Sequence, residues 1–182
     1  MKNPSEILLS SLDQLLEQPV DLVVFGRTAL YYAFEAMRDE YARTMDVDII
    51  LSSGQAEQLL SSGNFWNALD ALNQKYAAEG YYISHLFDES QIILRHDWMK
   101  HRLGIPGPWK KLSLYRPANE DLLLTKLMRY DPIDLQDART ICVYSGWSEA
   151  EIGAILDSAR VPEIPELREQ FEWCKRALLK ML

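Results

Sequence analysis

The stretch Leu22-Val23-Val24-Phe25-Gly26-Arg27-Thr28-Ala29-Leu30, resumed downstream as Arg43-Thr44-Met45-Asp46-Val47-Asp48-Ile49-Ile50-Leu51, decides the reading of this chain. Its first part is short, β-branched and aromatic and stops at Gly26, which predicts a buried strand running into a turn. The turn opens a helix. Leu30, Ala33, Phe34, Met37 and Tyr41 follow the i, i+3, i+4, i+7 rule, while Glu35, Arg38, Asp39 and Glu40 fall largely elsewhere. Val47 to Leu51 is then a second strand. Because a strand places residues i and i+2 on one side, Asp46 and Asp48 point together while Val47, Ile49 and Leu51 enter the core. Two carboxylates so placed, about 7 Å apart, repel by roughly 2 kcal/mol at an effective dielectric near 20. A divalent cation relieves that repulsion. The alternative is an exposed edge strand with acids near Arg43.

Outward from this centre, Ile7, Leu8, Leu12, Leu15 and Leu16 predict an amphipathic helix over Ser5 to Glu17. A loop rich in Ser and Gly follows the second strand, then a helix from about Phe65 to Ala78. Tyr81 to Phe87 and Gln91 to His96 suggest two strands joined as a hairpin at Asp88-Glu89-Ser90. Gly104, Pro106, Gly107 and Pro108 mark an irregular loop, and Leu112 to Tyr115 a short strand. From Asn119 the pattern is helical, broken at Pro132 and again at Pro162 and Pro165, with a capping box at Ser148 and Glu151. This order predicts an α/β (α+β) fold in which residues 1–117 form a mixed-sheet core with flanking helices. Residues 118–182 form a C-terminal helical segment packed on it.

Composition narrows the function. The 182-residue chain carries a formal charge of −8, which argues against wholesale coating of nucleic acid. Yet Arg95, Lys100, Arg102, Lys110, Lys111 and Arg116 lie close together with Asp97 as the one acid among them, a segment able to meet phosphate. Trp98, Trp109 and Tyr115 lie in the same segment, where they either stack on bases or anchor the loop to the core. The N-terminus has Glu6 and Asp13 among its leucines and neither a basic start nor a long apolar run, so a cytoplasmic location and no membrane contact are expected. Cys142 and Cys174 lack paired spacing and read as reduced, structural thiols; His85, His96 and His101 form no ligand pattern.

The glycine turn, the helix and the strand with alternating aspartates together resemble the nucleotidyltransferase superfamily, the fold of DNA polymerase beta. More narrowly, Gly26-Arg27-Thr28-Ala29-Leu30 followed by Arg43-Thr44-Met45-Asp46-Val47-Asp48 is similar to the abortive-infection toxin-type minimal nucleotidyltransferases. Glu120-Asp121-Leu122-Leu123, Lys126-Leu127 and Asp134-Leu135-Gln136-Asp137 resemble that branch's helical lysine and Asp-x-x-Asp element. Arg27 stands where a second Gly or a Ser is usual. The resemblance implies Mg²⁺-dependent transfer of a nucleotidyl group from a nucleoside triphosphate such as ATP to a hydroxyl of RNA, a protein or a small molecule. It also implies a neutralising protein partner. Asp46 and Asp48 would ligate the metal, and Gly26, Arg27 and Thr28 would meet the triphosphate. Asp97 would be the third carboxylate, with Asp88 and Glu89 as rivals. Lys126 and Asp134 would support the site or touch the acceptor. Arg27 either adds positive charge at the phosphates or closes the turn to nucleotide. A degenerate member that binds nucleotide or protein without chemistry, and a structural domain with an incidental acidic pair, are the competing readings.

Overall fold

The computed structural model describes residues 3–42 and 44–182, so Arg43 lies outside the described residues. The chain divides into two compact units, residues 1–88 with 102–116 and residues 89–101 with 117–182.

In the first unit Asn3 caps helix α1 (Pro4–Leu15) by accepting from the Ser5 N–H, with proline in the first turn where its missing N–H costs nothing. Strand β1 (Val20–Phe25) runs into α2 (Gly26–Ala33), a 3-10 turn (Glu35–Met37) and the single-turn α3 (Arg38–Tyr41). The continuous helix expected to Tyr41 is therefore broken. Phe34 is extended at φ −128° and buried, so packing of its ring overrides the helical periodicity. Strand β2 (Asp46–Leu51) leads into α4 (Ser53–Leu60) and α5 (Gly63–Tyr76). The Ser/Gly-rich loop expected before α5 thus contains a helix, started by Ser52 accepting from the Gln55 N–H. Strand β3 (Tyr82–Asp88) completes this run.

In chain order there follow β4 (Leu94–Arg95), β5 (Leu103–Gly104), β6 (Leu112–Arg116), α6 (Asn119–Thr125), α7 (Pro132–Ser145), α8 (Glu149–Asp157), β7 (Ala159–Arg160) and α9 (Pro165–Met181). The first unit's mixed sheet has the order β3-β2-β1-β6-β5. Strand β1 is antiparallel to β2 and parallel to β6, β2 is parallel to β3, and β5 is antiparallel to β6. Helices α1, α2 and α5 pack on these strands. Leu8, Leu9, Leu12, Leu22, Val24, Val47 and Ile49 are fully buried, each worth roughly 1.5–3 kcal/mol of apolar transfer.

The second unit is helical, with β4 and β7 paired as a separate two-stranded sheet. The β3–β4 hairpin expected from the sequence is not formed. Residues 89–91 make a 3-10 turn, and Ile92, Ile93 and Leu94 are buried in succession, which a two-faced hairpin strand does not allow. Ser148 and Glu151 form both halves of the capping box that opens α8. Among the described residues no helix is long and apolar enough to cross a membrane.

Candidate active site

The junction of β1 and α2 meets β2 at Asp48. Phe25 and Asp48 are register partners, and the next residue, Gly26, has φ 61°. A Cβ on Gly26 would lie 2.9 Å from Oδ2 of Asp48. Two separate constraints therefore exclude a side chain here: the left-handed backbone and the carboxylate against its Cα. Along β2 burial alternates from Asp46 to Ile49, so both aspartates are half-buried while Val47 and Ile49 are in the core. Opposite Val47–Asp48, β3 carries one extra residue, and His85 is the register neighbour of Asp48.

Thr28 is 1% exposed, and its hydroxyl is 3.1 Å from that of Ser5 and donates to the Asp46 carbonyl at 3.4 Å. This side chain ties α1 and α2 to the acid-bearing strand, a task different from the phosphate contact expected of it. Phe25, at the N-cap of α2, offers no side-chain acceptor to the first turn. Arg27, in that turn, lays its guanidinium 5.5 Å from the centre of the Tyr41 ring.

The other expected residues belong to the second unit. Lys126 is buried, and its ammonium donates to Asp134 at 2.9 Å and to Asp137 at 2.8 Å; Arg129 also donates to Asp134. Burial alone raises the Asp134 carboxyl, but the charges and hydrogen bonds of Lys126 and Arg129 outweigh it and hold the group below the ordinary carboxylate range. Asp97 is half-exposed and pairs with His101 at 3.0 Å, a hydrogen bond that draws its carboxyl downward. It was expected at the end of a strand beside β2. Strand β4 instead pairs with β7, so that premise fails. Of its rivals, Asp88 is the register partner of Leu51, on the side of the sheet away from Asp48, and Glu89 accepts from the Trp98 indole at 2.6 Å. Among the described residues no group of three or more His, Cys, Asp or Glu side chains is placed to hold a metal.

Sequence reasoning missed Asp13, whose Oδ1 accepts from the N–H groups of Lys110, Lys111 and Leu112 and so fixes the start of β6. Nothing in its helical surroundings distinguishes it. Arg95, assigned to the basic segment, instead holds the fully buried Asp121 through its backbone N–H and guanidinium. Cys142 and Cys174 are free and buried, and burial pushes both thiols up to about 11, the range of inert structural cysteines.

A mixed sheet in which a glycine corner opens a helix beside two alternating aspartates has the architecture of a nucleotidyltransferase. The chain belongs to the family described as "Nucleotidyltransferase of unknown function (DUF6036)", which matches residues 7–160. That membership assigns nucleotidyl transfer as its general class of activity. No curated protein and no solved structure matches the chain.

Proposed function

We propose that this chain moves a nucleotidyl group from a nucleoside triphosphate to a hydroxyl acceptor, with Mg²⁺ held by Asp46 and Asp48. The observation that carries the reading is the Asp48 carboxylate lying against the left-handed Gly26 where α2 begins. Mg²⁺ takes hard oxygen donors and is commonly bound by one or two carboxylates together with water and substrate phosphates, so this half-buried pair suits it. When bound, the cation neutralises phosphate charge and favours attack by the hydroxyl.

The chain's own groups do the positioning. Gly26 leaves space for the Asp48 carboxylate, and the N–H groups at the start of α2 would donate to phosphate oxygens. Arg27 adds positive charge in the same turn. Thr28 fixes β2 through the Asp46 carbonyl, so that the acids keep their place relative to α2. Lys126, Asp134 and Asp137 stiffen the helical unit. The toxin-type resemblance makes RNA the first acceptor to test, ahead of a protein side chain.

The test is incubation with each α-labelled triphosphate, Mg²⁺ and cellular RNA or protein. Label should pass to an acceptor with release of pyrophosphate, and Asp48→Asn should lower the rate by at least about 100-fold. Stabilisation by nucleotide with no transfer to any acceptor would favour the non-catalytic, nucleotide-binding alternative.

A further inference from the structure

Of the three aromatic residues in the basic segment, Trp98 is 1% exposed and spends its indole N–H on Glu89, an anchoring role. Trp109 and Tyr115, both in the first unit, are placed differently. They line a recess of about 460 Å³ with Gly104, Pro106 and Ser113, within the size range of small-ligand sites. The loop is shaped around Trp109. A Cβ on Gly107 would lie 2.2 Å from the indole ring, so only glycine lets the ring lie flat on the backbone.

The Arg102 guanidinium lies 3.9 Å from the centre of the Tyr115 ring and is held by Asp21 at 3.4 Å. The Tyr115 ring is thus fixed in place as it borders the recess.

Register relates this recess to the acid pair. Asp48 is the partner of Phe25, Tyr115 is the partner of Val23, and Val23 and Phe25 point to one side of β1. Tyr115 and Asp48 therefore face the same side of the sheet. They are two strands, about 10 Å, apart across it and two residues, about 7 Å, along it. A flat aromatic surface beside a fixed cation suits a flat heteroaromatic ring.

We propose that the Trp109–Tyr115 recess binds a nucleobase, stacked on the aromatic rings. The proposal rests on the nucleotidyl-transfer reading for its choice of ligand. The base comes either from the triphosphate or from a single-stranded RNA acceptor, and the two arms of the experiment separate these sources.

The full chain is titrated in EDTA with ribonucleosides, with the four triphosphates and with short single-stranded RNA, as wild type, Trp109→Phe and Tyr115→Leu. Without phosphate or cation, nucleoside binding makes no use of the acid pair, so this proposal and the metal reading fail separately. Nucleosides should bind, about two- to threefold more weakly in Trp109→Phe, whose smaller ring covers less of the base. The loss in Tyr115→Leu should be about fivefold or more. Equal weakening of the triphosphates with RNA unaffected identifies the donor's base, and the reverse identifies the acceptor's. Thermal midpoints check folding, and if Trp109→Phe fails to fold, Tyr115→Leu decides. No nucleoside binding by wild type, or unchanged affinities in the folded variants, would overturn the proposal.

Discussion

Two pairs of aspartates occupy different settings in this protein. Asp134 and Asp137, three residues apart on α7, are buried and share the ammonium of Lys126. Asp46 and Asp48, two apart on β2, are half-buried beside a glycine that leaves room for one of them. The helical pair is neutralised by side chains of its own unit and holds α6 and α7 together. In the proposed reaction the strand pair meets a cation and the triphosphate beside the start of α2. On the proposed function, identical residue types divide into support and chemistry according to burial and setting, which spacing alone does not report.

The largest expected effect tests the supporting pair. Lys126→Met leaves two buried carboxylates without their shared cation and should cost about 3–5 kcal/mol, read by denaturant unfolding. A change within about 0.5 kcal/mol, the usual range of surface substitutions, would mean that the cluster is solvated and the contrast false. Next comes the glycine corner. Gly26→Ala should cost about 1–3 kcal/mol from left-handed strain and displace Asp48, lowering transfer more than stability. Full transfer activity in this variant would detach Asp48 from the reaction.

A smaller effect is the pH profile of stability. The Asp134 carboxyl is held below its ordinary value of 3.8, so its contribution is present above that pH and disappears as pH falls through the lower, folded value. Acid unfolding should therefore steepen below about pH 4. In Lys126→Met, where burial opposes a charge that has lost one partner, the loss should begin at higher pH. Matching acid limbs in the two proteins would show that Lys126 does not set the Asp134 titration.

Much of the fold was legible because its signals are local. Alternation marked β2, the stop at Gly26 marked the start of α2, and Ser148 with Glu151 marked the start of α8. What failed depended on distant partners. Gln91 to His96 has the composition of a strand, yet its pairing with residues 159–160 is visible only in three dimensions. The helix break at Phe34 follows from burial of that ring, and the cap at Ser52 was a readable signal passed over in a stretch of small residues. At the site, Gly26 was legible as a turn glycine, but not the reason for it. The carboxylate against its Cα comes from a strand 22 residues downstream (48 − 26). Thr28 was expected at the phosphates from the family resemblance; its bonds to Ser5 and the Asp46 carbonyl depend on helix packing.

The central claim is that Asp46 and Asp48 form a cation site, and calorimetric titration of Mg²⁺ into the wild type, Asp46→Asn and Asp48→Asn proteins in the presence of nucleoside triphosphate tests it most directly. The account predicts a binding event in the wild type that either substitution weakens by about tenfold or more. Equal Mg²⁺ affinity in all three folded proteins would contradict it.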